Sequence, residues 1–276
     1  MFTVTTLASG SGGNAALVSC GDTHVLLDAG ISARRITTGL KALGVDPAKL
    51  SAILITHEHH DHISGLQVLT KQIRVPVLAT PATCREIAMK APNAAPLLDG
   101  RSAGAGYQLG ELWVEPFATP HDAAGSVGYS IAGENGRMVL ATDLGFVTDE
   151  VARAVQGCDL LVCEANHDVD WVRTGPYPYY LKQRILGDRG HLSNEAGAEL
   201  AALGVAAGAK AIVLAHLSAE NNTPARARQA VERRLRAMDC DPEGDVTLGV
   251  APRSEAGPVY VLEQGNVKVE RGMALC

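Results

Sequence analysis

The chain has 276 residues, 46% of them hydrophobic and 20% charged, a balance that suits a globular protein with a sizeable buried core. A net charge of −6 at pH 7 argues against broad, non-specific nucleic-acid binding, and the sequence has no run of about 18 apolar residues to cross a membrane. The six cysteines (Cys20, Cys84, Cys158, Cys163, Cys240 and Cys276) form no CxxC pair, and the first residues lack a basic stretch followed by an apolar one, so reduced thiols in the cytoplasm are expected.

Residues 3–7, 15–19 and 24–27 read as a β-meander. Gly10-Ser11-Gly12-Gly13-Asn14, between the first two strands, is no dinucleotide fingerprint, because a strand pattern follows it where a helix should. It is either a flexible turn or a loop that brings its backbone, Ser11 or Asn14 close to a ligand. Asp28, ending the third strand, either forms a turn or orients metal ligands. Residues 32–43 predict an amphipathic helix, with Ile36, Leu40 and Leu43 on one face and Ser32 as N-cap.

The apolar run 50–55 reads as a short buried strand and leads directly into Thr56-His57-Glu58-His59-His60-Asp61-His62. Such a density of histidine with an aspartate is hard to explain as packing, whereas imidazole and carboxylate are ligands of zinc and similar divalent ions. In extended backbone His57 and His59 point to one side, and a turn after His59 aims Asp61 and His62 at a second point. One stretch can therefore serve two metals.

Residues 63–73 predict a helix, 75–79 a strand, and 81–90 a helix with Pro81 in its first turn. Strands at 107–109 and 112–118 lead to His121-Asp122, and the runs 128–132 and 137–142 flank Gly133-Glu134-Asn135-Gly136 as a hairpin that delivers Asp143. A helix at 148–156 and a strand at 160–164 follow. Residues 166–190 are rich in aromatic and basic side chains, and His191-Leu192-Ser193-Asn194 opens a helix to about residue 207. Strand 211–215 ends at His216, an arginine-rich helix spans 224–238, residues 246–269 supply two or three strands, and 271–276 give no signal. His57, Asp143 and His216 each follow an apolar strand directly, the placement from which distant residues converge on a ligand. The strands fall into two groups, each mixing helices with β-pairs. This predicts an α/β protein of two facing sheets with helices outside, as one domain over residues 1–276.

With His57, His59, Asp61, His62, His121, Asp143 and His216 in place, the chain resembles the metallo-β-lactamase superfamily through a complete HxHxDH motif. The resemblance implies a four-layer αββα sandwich carrying two divalent metal ions. His57, His59 and His121 would hold one ion and Asp61, His62 and His216 the other, with Asp143 bridging them beside a water or hydroxide and His60 a bystander. Four stretches look like the WalJ (YycJ) group of DNA exonucleases: the glycine loop, Glu164-Ala165-Asn166-His167-Asp168, Gly190-His191-Leu192-Ser193-Asn194, and His216 through Asn222. The loop has Gly12 where that group usually has serine. The His191 stretch is also similar to the helper-histidine motif of tRNA 3′-processing ribonucleases and of small cyclic phosphodiesterases.

Two cations about 3.5–4 Å apart clamp the attacking and leaving oxygens of an in-line displacement and lower the pKa of a bridging water. Asp61 would then be both ligand and water-orienting base, and His191 would protonate the leaving alkoxide. Zinc suits the histidine-rich set, with manganese or iron as alternatives. The expected activity is a dinuclear metal-dependent phosphodiesterase, a 5′-to-3′ DNA exonuclease, whose partner is a DNA end and not a membrane; self-association stays open. Candidate substrate contacts are Ser11, Asn14, His167, Lys182, Arg184 and Asn222. Lys182, Arg184 and Arg189 either receive a nucleic-acid backbone beside Tyr177, Tyr179 or Tyr180, or form a solvated face. Competing readings are a thioester or other small-molecule hydrolase, a cyclic-nucleotide or RNA phosphodiesterase, a redox di-iron protein, and a non-catalytic scaffold. His191 weighs against the thioesterase, because a thiolate leaves without an acid. A di-iron protein would usually carry glutamate at the position of His59, and a scaffold would have lost ligands.

Overall fold

The structure, a computed structural model, describes residues 1–270; residues 271–276, Cys276 among them, lie outside the described residues. In chain order the strands are β1 (Phe2–Ala8), β2 (Ala15–Cys20), β3 (Thr23–Leu27), β4 (Ala52–Leu54), β5 (Val77–Ala79), β6 (Leu98–Gly100), β7 (Tyr107–Leu109), β8 (Leu112–Ala118), β9 (Val127–Gly133), β10 (Gly136–Ala141), β11 (Leu160–Glu164), β12 (Ala211–Ala215), β13 (Thr247–Val250), β14 (Val259–Glu263) and β15 (Asn266–Glu270). The helices are α1 (Ala33–Ala42), α2 (His60–Ile63), α3 (Leu66–Gln72), α4 (Pro81–Lys90), α5 (Asp149–Ala154), α6 (Val169–Thr174), α7 (Tyr179–Leu186), α8 (Asn194–Ala206) and α9 (Pro224–Arg236).

The strands form an eight-stranded sheet, β15-β14-β1-β2-β3-β4-β5-β6, and a seven-stranded sheet, β13-β12-β11-β10-β9-β8-β7. Each is half antiparallel and half parallel: pairing turns parallel from β3 through β6 in the first and from β10 through β13 in the second. The period of two along each strand divides its side chains between layers. Leu54, Val162 and Val213 point into the core between the sheets, where they meet Val4, Val18, Val114 and Tyr129. Their neighbours point outwards: Ile53 packs with Ile36, Leu40, Leu66 and Leu69 of α1 and α3, and Leu161, Ile212 and Leu214 pack with Leu200 of α8 and Val231 of α9. Strands such as β4, β11 and β12 are buried along their whole length, which is why they read as unbroken apolar runs. The layers are α, β, β, α, as expected.

Two elements depart from the sequence reading. The helix expected at 63–73 is shorter, α3 from Leu66 to Gln72, with Ile63 ending the separate short α2 and Gly65 between them so close to the preceding loop that a Cβ there would lie 2.0 Å from the Ile31 carbonyl oxygen. There the chain clips onto the loop after β3: Gly65 N donates to Ala29 O at 2.8 Å and Ser64 Oγ donates to Gly30 O at 2.7 Å. Within 166–190 the structure adds α6 and α7, and α7 buries no residue, so it carries no apolar period to read.

The parallel halves aim the loops after β3, β4, β10, β11 and β12 at one seam. Three turns there adopt left-handed backbone at non-glycine residues: Asp28 (φ 58°), Asp143 (φ 60°) and His216 (φ 56°). Such turns are disfavoured for ordinary side chains and persist where the surroundings over-determine them. Gly30 locks the same seam, since a Cβ on it would fall 1.7 Å from the Asp61 carbonyl oxygen. Gly30→Ala is therefore expected to destabilise the protein by about 3 kcal/mol, read as a lower midpoint of urea unfolding; an unchanged midpoint would contradict this contact.

Candidate metal centre

After β4 the backbone is extended at His59, and α2 then begins at His60, so the histidine stretch turns where its spacing requires. His57 Nε2 lies 3.1 Å and His121 Nε2 3.2 Å from His59 Nδ1, so three imidazole nitrogens converge on one point. Asp61, His62 and His216 make a second group, with His216 Nε2 3.2 Å and His62 Nε2 3.5 Å from Asp61 Oδ2. Asp143 lies between the groups: one oxygen is 3.4 Å from His62 Nε2, the other 3.4 Å from His216 Nε2 and 3.8 Å from His121 Nε2. His60 is exposed and belongs to neither group.

The far nitrogen of each buried ring is tied down. His62 Nδ1 donates to Asp28 Oδ2 at 2.7 Å, and Thr56 Oγ1 accepts from His57 Nδ1 at 3.0 Å while donating to the same Asp28 carboxylate. His121 Nδ1 donates to Gly190 O at 3.0 Å, and His216 Nδ1 to Glu164 Oε1 at 3.0 Å. With Nδ1 occupied as a donor, a ring in its neutral form keeps its Nε2 lone pair for the seam. Asp28 therefore orients two histidines at once, the second of its sequence readings. Lone pairs that face one another repel, and the buried Asp143 Oδ2 has no hydrogen-bond partner. Divalent cations fit this donor set and resolve both problems.

The metal-free electrostatics divide the centre in two. Burial holds His57 well below its ordinary pKa, and the neighbouring His62, His121 and His59 push the same way; burial also lowers His121. On the other side burial opposes charge but loses. Asp143, Asp28 and Asp61 raise His62 well above its ordinary value, and Asp143, Asp61 and Glu164 carry His216 up to about 10. Asp61 and Asp143, although buried, are kept below the usual carboxylate range by His62 and His216.

His191 stands beside this centre, 17% exposed, with Nδ1 donating to Glu164 Oε1 at 2.8 Å and its ring centre 5.1 Å from that of His121 and 5.2 Å from that of His216. Glu164 is fully buried; its other oxygen accepts from Leu144 N at 3.2 Å and Leu192 N at 3.1 Å. Burial raises its pKa, but His191 and His216 bring it well below the usual carboxylate range. No role was assigned to Glu164 from sequence, yet it ends an apolar strand, the placement that singled out His216.

The remaining candidates separate by burial. Ser11 is exposed, its Oγ accepting from Ala219 N at 3.4 Å, and Gly12 faces open space that a serine would fit. Lys182 and Arg184 lie on α7, where Arg184 pairs with Asp122, whose Oδ1 is 3.4 Å from His121 Nε2. Asn14, His167 and Asn222 are buried in the loops around the centre. Asn14 closes the glycine loop, accepting from Gly10 N at 2.9 Å, and its amide reaches to 3.1 Å from His62 Nε2. Asn222 Nδ2 donates to Ala165 O and Asn194 Oδ1, both at 2.8 Å, pinning the loops after β11 and β12 together. Burial lowers the pKa of His167 to about 4.

Residues 23–217 match the family described as the beta-lactamase superfamily domain. The chain is 38% identical to the exodeoxyribonuclease WalJ of Streptococcus pneumoniae over 243 residues, covering 86% of this chain and 90% of that protein. It is 38% identical to the exodeoxyribonuclease YycJ of Bacillus anthracis over 232 residues, 83% and 87% of the two chains. Among solved structures, the metallo-beta-lactamase fold protein YhfI from Bacillus subtilis superposes with a TM-score of 0.69 at 17% identity, over 92% of this chain and 98% of that one. The chain belongs to the metallo-β-lactamase superfamily of metal-dependent hydrolases and, within it, to the WalJ/YycJ group.

Proposed function

We propose that this protein is a dinuclear metal-dependent nuclease that shortens DNA from an end in the 5′-to-3′ direction, with zinc as the resident metal and manganese or iron as alternatives. The observation that carries the reading is the Glu164–His191 pair at 2.8 Å beside two ligand groups that share Asp143. Similarity to relatives named exodeoxyribonucleases gives DNA as the substrate. His57, His59 and His121 would hold one ion, and Asp61, His62 and His216 the other. Ions so held supply positive charge for the anionic phosphodiester and acidify a water.

The chain's own groups do the rest. Asp61, with one edge exposed, accepts a hydrogen bond from the attacking water and orients it. His191, whose Nδ1 is committed to Glu164, donates from Nε2 to the departing alkoxide, and the Glu164 carboxylate stabilises the ring while it carries the proton. A thioester would not need this donor, because a thiolate leaves unprotonated.

His191→Ala should lower kcat on DNA by roughly 10²–10³-fold with metal content unchanged. It should leave bis(p-nitrophenyl) phosphate, whose leaving group needs no acid, close to wild type. Near-normal DNA turnover would remove His191 from the mechanism.

The two halves of the centre also predict an order of loading. His57 and His121 are neutral near pH 7 because burial lowers them, so the ion at His57, His59 and His121 displaces no proton from either. His216, raised to about 10, is protonated there and must lose its proton to ligate. The affinity of the Asp61, His62 and His216 position should therefore rise with pH, by roughly tenfold per unit for each proton displaced. The other position should vary little between pH 7 and 8. Zinc titration calorimetry in buffers of different ionisation enthalpy would show one pH-sensitive, proton-releasing equivalent; two equivalents with no proton release would refute the assignment.

A further inference from the structure

Each histidine of the two converging groups offers one ring nitrogen to the seam. His57, His62, His121 and His216 turn the other nitrogen to a partner within hydrogen-bond distance: Thr56, Asp28, Gly190 and Glu164 respectively. His59 differs, and its ring is reversed. It meets His57 and His121 through Nδ1, at 3.1 and 3.2 Å, so its outward nitrogen is Nε2. For Nδ1 to keep its lone pair the proton must sit on Nε2, and a proton there needs an acceptor to hold tautomer and ring.

The carboxylate that Nε2 faces is Asp122. Its Oδ1 lies 3.9 Å from His59 Nε2, an ion-pair separation, and 3.4 Å from His121 Nε2. Asp122 is 31% exposed, so it can turn to solvent unless a partner holds it. Arg184 is that partner: its Nε donates to Oδ2 and its Nη2 to Oδ1 at 3.1 Å, the two-pronged pairing that matches guanidinium to carboxylate. Arg184 is carried by α7, which buries no side chain, and Arg189 just beyond that helix donates to the His121 carbonyl at 3.1 and 2.9 Å. Charge points the same way. The group of His57, His59 and His121 contains no carboxylate, whereas the other contains Asp61. Asp122 places a negative charge beside three imidazoles that bring none to a cation.

We infer that Arg184, Asp122 and His59 form a relay that fixes one metal position from outside. Asp122 is the positioning residue that keeps His59 Nδ1 directed at the seam, and Arg184 holds Asp122 in place. The inference rests on the assignment of His57, His59 and His121 to one ion of the proposed nuclease centre. It makes the two positions unequal in support. Buried Asp28 and Glu164 lock His62 and His216, whereas His59 depends on a contact carried by an exposed helix. Displacing α7 therefore loosens one ion and leaves the other.

Zinc titration of the metal-free full chain against a competing chelator tests the relay by affinity, without turnover. His59→Ala identifies the equivalent concerned by weakening one of two. Asp122→Ala should weaken that same equivalent by roughly 10–100-fold and leave the other at its wild-type affinity. Arg184→Ala should weaken it too, and should cost nothing more in the Asp122→Ala background, because Arg184 acts through the carboxylate. Lys182→Ala, on the same helix but outside the relay, should match wild type. With cobalt in place of zinc, Asp122→Ala should alter the visible absorption of that equivalent alone. Wild-type affinity in Asp122→Ala or in Arg184→Ala, or a further loss in the double variant, overturns the relay while leaving a two-metal nuclease standing. An equal loss at both equivalents, or a lower urea midpoint of the metal-free Asp122→Ala protein, marks a merely structural residue and also overturns it. A wild type that binds fewer than two equivalents overturns the relay and the two-metal reading together.

Discussion

The rest of the structure depends on a concentration of buried charge at the seam between the sheets. Asp28, Asp143 and Glu164 are 3% exposed or less, and His57, His62, His121 and His216 are buried among them. Isolated, each ionised carboxylate would cost several kcal/mol to remove from water, so each must meet a donor, a counter-charge or a cation. The turns at Asp28, Asp143 and His216, the close approach of Gly30 to Asp61, and the Asn14 staple under His62 all serve that requirement. They hold backbone in positions that ordinary packing would not select, and the groups they position are at the seam.

Much of this was legible because it follows from local rules. Hydrophobic alternation and turn residues located the β-meander at the start and the hairpin of β9 and β10, and the unbroken apolar runs located β4, β11 and β12. The HxHxDH stretch announced itself because histidine at that density has no packing explanation. Glu164 escaped because a glutamate at a strand end has an easy alternative as the first residue of a loop. Only in three dimensions does one carboxylate meet both His191 and His216. The break between α2 and α3 escaped because the groups that hold Ser64 and Gly65, the carbonyls of Gly30 and Ala29, lie far away in sequence. The burial of Asn14, His167 and Asn222 was not legible either, because a motif carries no information on which way a side chain turns.

The same seam shows how one carboxylate can be shared without conflict. Glu164 Oε1 accepts from both His191 and His216, and Oε2 is satisfied by two backbone amides, so the group is anchored from four directions. His216, in the proposed ligand set, and His191, the proposed proton donor, are thereby set at fixed spacing by one buried carboxylate. Side chains carried on rigid strand ends and locked by such partners are held more tightly than any loop could hold them.

The exposed helix α7 beside the centre is built on the opposite principle. Lys182, Arg184, Tyr179 and Tyr180 lie on a helix that contributes nothing to the core, joined to the centre through Asp122 and the carbonyl of His121. A change on that helix would cost little stability, whereas a change at Asp28 or Glu164 would leave a buried charge unpaired. The fold can therefore stay fixed while that exposed face varies, so the fold alone does not name the substrate.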